Sequence, residues 1–203
     1  MIKLNGNLTE ALSTLPQKGN LDLDLSDCIT RKTLNSTLIP KNFQKRIISL
    51  ILPDTIEEIR SSATLKFDNL VSITGKNVLS IGGSVFFYHD SIKMINFSNV
   101  KSIGEDAFSY CKSLEILELP NVTNIDKGAF SSCESLKSVE LPNVTSIDEF
   151  AFAFCDLLES VSLPKMHEVN NSVFKECYLL KNINLFCYHI EEVMPEVCRE
   201  LFD

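Results

Sequence analysis

A phenylalanine recurs every twenty-two residues along this chain, at Phe86, Phe108, Phe130, Phe152 and Phe174. That period is longer than any helix or strand repeat, so one complete turn of a larger coil is being copied. Other columns keep the same beat. Counting from Leu70, Ile92, Leu114, Leu136, Leu158 and Leu180, the third position on is always apolar (Ile73, Ile95, Leu117, Val139, Val161, Ile183). So is the eleventh, with Ile81, Ile103, Ile125, Ile147 and Val169. A pattern of this kind specifies a repeat solenoid in which equivalent residues stack coil over coil.

The best-formed units read LEILELPNVTNIDKGAFSSCES, LKSVELPNVTSIDEFAFAFCDL and LESVSLPKMHEVNNSVFKECYL. Each opens with an alternating stretch such as Leu117 and Leu119, whose side chains share one face of a strand. Pro120, Pro142 and Pro164 close that strand, where a missing ladder donor costs least. Next comes an apolar pair, as in Val122 with Ile125. The column Gly82, Gly104, Asp126, Asp148 and Asn170 then predicts a corner with tight or left-handed backbone. The pairs Ala107–Phe108, Ala129–Phe130 and Ala151–Phe152 plug the interior before a cysteine and the next leucine complete the circuit. One such coil cannot bury enough surface to offset the entropy of ordering it, whereas stacked coils bury both flat faces.

The pattern thins toward both ends. A twenty-three-residue version runs from Ile47, and the unit from Leu70 to Ser91 has Gly75 and Lys76 where leucine and proline are usual. Leu21, Leu23 and Leu25 form a further alternating strand, joined to the array by an irregular stretch from Ile29 to Gln44. Asn7 and Glu10 resemble a capping box for a short helix carrying Leu8, Ala11, Leu12 and Leu15, ended by Pro16 and Gly19. HIEEVMPEVCRELFD predicts a closing helix. The expected division is therefore residues 1–46 as an N-terminal cap and first divergent coil, 47–185 as repeats of 22–23 residues, and 186–203 as a C-terminal helical cap.

Composition narrows function by exclusion. The chain has 203 residues, 44% of them hydrophobic, enough for one substantial core. A net charge of −8 and a pI near 5.0 argue against nucleic acid and anionic membranes, which require clustered cations. The densest basic stretch, Lys41 to Arg46, holds three cations and reads as a solvated rim. No apolar run reaches membrane-spanning length, and MIKLNGNLTEALS lacks the features of a signal peptide, so either the protein stays inside the cell or a leader has been removed. The seven cysteines are odd in number, and Cys111, Cys133, Cys155 and Cys177 each follow the repeating phenylalanine by three. One residue type in one equivalent place indicates a column of buried thiols rather than a disulfide framework.

The joint pattern LxxIxLPxVTxIxxxAFxxC resembles the BspA (bacterial surface antigen A) type of leucine-rich repeat, in about seven coils from Leu21 to Leu185. The resemblance implies a right-handed curved β-rich solenoid with a parallel sheet on its concave face. It also implies a cell-surface or secreted adhesion module that binds protein partners on a host surface or matrix, with no enzymatic activity and no cofactor.

Nothing in the residues argues for catalysis. There is no Gly-x-Gly-x-x-Gly, phosphate loop, His-Glu-x-x-His or Gly-x-Ser-x-Gly. His89 replaces a cysteine of the column. His167 and His189 share an exposed column but lack the further ligands that a metal needs. Six sequons, at Asn7, Asn35, Asn96, Asn121, Asn143 and Asn170, include two that come from the repeat's own Asn-Val-Thr. What remains is surface. Alternate strand positions are expected to align into one outward panel: Ser72, Thr74, Met94, Asn96, Ile116, Glu118, Ser138, Glu140, Ser160, Ser162, Asn182 and Asn184. Within it, Met94 and Ile116 beside Glu118 and Glu140 form an apolar island with an acidic neighbour, suited to a partly basic protein. The other reading of the chain is a structural spacer with an idle concave face.

Overall fold

The computed structural model describes residues 1–30, 32–34, 39–60 and 67–186. The expected C-terminal helix, His189 and the Asn35 sequon lie outside them. The described chain winds into a parallel β-solenoid of about eight turns. One side is built from β1 (Ile2–Asn7), β2 (Leu21–Ile29), β4 (Ile47–Ile51), β6 (Ser72–Thr74), β8 (Met94–Asn96) and β10 (Ile116–Glu118), followed by β12 (Ser138–Glu140), β14 (Ser160–Leu163) and β15 (Asn182–Leu185). A second side carries two-residue strands: β3 (Thr33–Leu34), β5 (Glu58–Ile59), β7 (Ser80–Ile81), β9 (Ser102–Ile103), β11 (Asn124–Ile125) and β13 (Ser146–Ile147). Register follows the sequence period. Met94 lies opposite Ile116, Ile103 opposite Ile125, and Val139 opposite Val161.

The third side closes each coil without strands. There the phenylalanine N–H groups donate to the next coil, Phe108 to Ala129, Phe130 to Ala151 and Phe152 to Val173, at 2.8–2.9 Å. Their rings stack inside. Phe86, Phe108, Phe130, Phe152 and Phe174 form one continuous pile, with centroids 5.0–5.9 Å apart and planes within 19° of parallel. The cysteine column runs beside it. Each thiol donates to the carbonyl of the phenylalanine one coil earlier: Cys111 to Phe86 at 3.2 Å, Cys133 to Phe108 at 3.4 Å, Cys155 to Phe130 at 3.4 Å and Cys177 to Phe152 at 3.0 Å. A buried sulfur thereby satisfies a buried carbonyl, and these cysteines are free thiols.

The degraded repeat is repaired by its neighbour. A Cβ on Gly75 would lie 2.6 Å from Val78 Cγ2 and 2.9 Å from Phe97 Cε1, because the Phe97 ring fills the space that leucine occupies elsewhere.

Two expectations need correction, and one segment that carried no pattern is structured. Gly82, Gly104, Asp126, Asp148 and Asn170 are not left-handed, and Asn170 has φ −65°. The left-handed positions lie two and six residues further on: Ser84, Asp106, Gly128 and Phe150 in one column, and Tyr88, Tyr110, Ser132, Phe154 and Glu176 in the other, all with φ between 53° and 63°. Gly104 is glycine for another reason, since a Cβ there would come within 2.6 Å of the Gly83 backbone nitrogen. The helix expected after Asn7 is present, and the residues before it, which carry no pattern, are a strand. They form β1, which adds parallel to β2, and Asn7 then caps helix α1 (Leu8–Ser13) by accepting from the Thr9 and Glu10 N–H groups. The stretch from Ile29 to Gln44 is not wholly irregular, as it contains β3 and the short helix α2 (Lys41–Gln44).

Candidate protein-binding face

The outward positions of the first side fall into rows set by strand register. Ser72, Met94 and Ile116 make one row; Thr74, Asn96 and Glu118 make the row beside it. Ser138, Ser160 and Asn182 make a third row, and Glu140, Ser162 and Asn184 a fourth. The twelve predicted residues are thus all half-buried or exposed on one side, yet they do not form one panel. β10 and β12 do not pair, and the sheet divides there into a six-stranded and a three-stranded block.

Ile116 stands out within the first block. It is 47% exposed, and Met94 lies half-buried beside it in register. The Glu118 carboxylate accepts a hydrogen bond from the Asn96 side-chain amide. Glu115 pairs with Lys93 at 3.5 Å on the flank, but among the described residues no cation pairs with Glu118 or Glu140. The acidic charge on this face thus has no cationic partner among the described residues, while most surface ion pairs elsewhere join neighbouring coils, as Lys112 joins Glu134 at 2.7 Å. The second block carries an open groove of about 590 Å³, lined by Ser138, Glu140, Ser160, Ser162, Asn182 and Asn184 among others.

Two other sets of side chains were legible only in part. The asparagines of the repeat donate their side-chain amides to the preceding coil: Asn77 to the Asp54 carbonyl, Asn99 to Lys76, Asn121 to Ser98 and Asn143 to Pro120, at 2.7–2.9 Å. That bond explains the asparagine of the Asn-Val-Thr sequons, and its twenty-two-residue spacing was the available signal. An aromatic cluster lies away from the panel. Tyr88, 56% exposed, stacks on Tyr110 at 4.5 Å, with Phe87 edge-on to both.

Burial governs most of the titratable interior. Burial pushes the Cys111 thiol up to about 12 and raises Cys133 well above the ordinary thiol range. Contact between the Cys155 and Cys177 thiols raises Cys155, which burial raises further, and lowers Cys177 at the half-buried end of the column. His89 packs edge-on against Phe86, and His167 against Phe186. Among the described residues no three His, Cys, Asp or Glu side chains converge as a metal site would require.

Known proteins agree with this architecture. A family model described as the BspA type leucine rich repeat region matches in six copies, over residues 36–143 and 80–197. No curated protein matches the chain. Among solved structures, a leucine rich repeat protein of T. pallidum superposes with a TM-score of 0.65 at 26% identity, covering 77% of this chain and 84% of that one. A leucine rich cell surface protein from Faecalibacterium prausnitzii A2-165 superposes with a TM-score of 0.54 at 24% identity over 67% of this chain, a likeness of fold. This chain spans only 47% of that protein's length. Among the described residues, no helix is long and apolar enough to cross a membrane. The repeated sequence, the stacked coils and the family match together make this chain a member of the BspA-type leucine-rich repeat family.

Proposed function

We propose that the chain is a non-catalytic protein-binding module that works at the cell surface, and that Met94, Ile116, Glu118 and Glu140 are the centre of its binding face. The observation that carries this reading is Ile116, a large aliphatic side chain held 47% exposed on a regular sheet beside an acid that pairs with no cation among the described residues. An exposed apolar residue on a rigid surface loses little entropy when covered, and the flanking carboxylates favour a partner with basic residues near its apolar contact. The surface setting is supported by the family and by the cell surface protein of similar fold.

Replacing Met94 and Ile116 together by lysine tests it. Both lie at outward positions, so the far-ultraviolet spectrum and thermal midpoint should stay close to wild type. Proteins retained from cell-surface and matrix fractions by the wild type should bind the variant at least tenfold more weakly, about 1.4 kcal/mol. Unchanged retention by a folded variant would remove the face from the account.

A further inference from the structure

The break between β10 and β12 is confined to one side of the coil. On the second side the same two coils are joined by Thr145 N–H donating to Thr123 at 2.9 Å, and on the third by Phe130 N–H donating to Ala151 at 2.8 Å. On the first side, neighbouring coils repeat two bonds: Glu115 N–H to the Lys93 carbonyl and Glu159 to Lys137, both at 2.9 Å, with Phe97 N–H to Glu118 and Leu141 to Ser162, both at 3.0 Å. Their equivalents across the gap, Lys137 to Glu115 and Leu119 to Glu140, are not made among the described residues. The Cα atoms of β10 and β12 lie for the most part more than 8 Å apart. Bonded parallel strands sit about 4.8 Å apart, so β10 and β12 stand wider than a bonded pair, and seating one further strand between them would widen the opening to about 9.6 Å. Leu117 is half-buried here, as is Ile183 in the last described coil, whereas Ile73, Ile95, Val139 and Val161 in the same column are buried. An open groove of about 370 Å³ runs over the C-terminal ends of β8, β10 and β12, lined in part by Asn96, Leu117, Leu119, Glu118 and Glu140.

We infer that this gap receives one extended segment of a protein partner, which inserts between β10 and β12 and completes the sheet by main-chain hydrogen bonds. Two facing strand edges with unpaired donors and acceptors are a ready template for strand addition. Side-chain alternation then specifies the occupant. In a parallel segment in register, the first residue faces outward between Ile116 and Ser138, the second points into the wedge beside Leu117, and the third faces outward between Glu118 and Glu140. The fitting sequence is apolar, apolar, basic. Both carboxylates would gain the cation that no described residue supplies. This rests on the reading of the first side as a protein-binding face and specifies how that face is used.

The test uses the full chain and a fluorescein-labelled heptapeptide, Gly-Ser-Val-Val-Lys-Ser-Gly, followed by anisotropy. Saturable binding is expected, weakened at least tenfold when the second valine and the lysine are N-methylated, and at least tenfold when glutamate replaces the peptide lysine. Ser138→Pro removes an N–H directed into the gap and should weaken binding similarly, since the β12 groups that pair with β14 belong to Lys137 and Val139. Absence of saturable binding to the wild type would overturn the inference, as would equal binding of the N-methylated peptide. Either result leaves the face itself to be judged separately by the Met94 and Ile116 variant, so the two failures are distinguishable.

Discussion

Phe130→Ala is expected to lower the stability of the array by about 3–5 kcal/mol, read as a shift of the urea midpoint at constant m-value. Phe130 is fully buried and lies in the middle of the ring pile, 5.3 Å from Phe108 and 5.2 Å from Phe152. Truncation removes ring contacts on both sides and leaves a cavity that the backbone cannot close, because the same coil is bonded to its neighbours on the adjacent residues. Stacked aromatic pairs add about 0.5–1.5 kcal/mol each beyond area burial, so position in the pile matters. Among the described residues Phe174 has a single ring neighbour, at 5.9 Å, and Phe174→Ala should cost clearly less. Equal costs at the two positions would mean that the rings are buried independently and do not couple successive coils.

Cys133→Asp is expected to be more damaging and strongly pH-dependent. Cys133 is fully buried, its thiol donating to the Phe108 carbonyl, with Cys111 and Cys155 in the same column. Burial already raises this thiol well above its ordinary pKa, which shows how poorly the site tolerates negative charge. A carboxyl placed there should have its folded-state pKa raised by as much as about 3–5 units over its unfolded value near 4. The sign follows directly. Below about pH 4 the group is neutral in both states and the ionisation penalty is absent; as pH rises toward the raised pKa, the unfolded state loses its proton first and stability falls. Relative to wild type, the loss between pH 4 and pH 7 can reach about 4 kcal/mol, at 1.36 kcal/mol per unit over the 3 units traversed. Cys133→Ser keeps a donor for the Phe108 carbonyl and should show no such slope. Parallel stability curves for the aspartate variant and the wild type over that pH range would place the column in contact with solvent.

Much of this architecture was legible because stacking leaves its record at fixed intervals. The leucine, phenylalanine and cysteine columns are read directly from their spacing, and each lies in the core, apart from the half-buried Cys177. Outward positions of the first side follow from alternation alone. What alternation cannot show is which neighbouring coils actually bond. Leu117 and Val139 fill their column like any other members of it, yet the ladder stops between their strands.

The left-handed columns were missed for a different reason. Residue type there is not selected for φ: Tyr88, Tyr110, Phe150 and Phe154 occupy positions where glycine would be cheaper. The coil closes only if the chain reverses at those points, and the inter-coil bonds on that side, such as Tyr110 N–H to Ser131 at 2.8 Å, outweigh a cost of about 1–2 kcal/mol per residue. β1 left no pattern because it is almost wholly exposed and joins the sheet through its backbone. Phe97 for Gly75 is an exchange of volume between neighbouring coils, invisible until the two are stacked.

The equivalence of successive coils can be tested by excision. Removing Leu136–Leu157, one complete 22-residue unit, brings Leu158 into the place of Leu136 and leaves every column in register. Removing only its first half, residues 136–146, sets strand positions against corner positions in all later coils. The prediction is a folded β-rich protein with a cooperative, somewhat less stable urea transition for the whole-unit deletion, and loss of that transition for the half-unit deletion. Two deletions that unfold alike, or that are tolerated alike, would contradict the stacked-coil account.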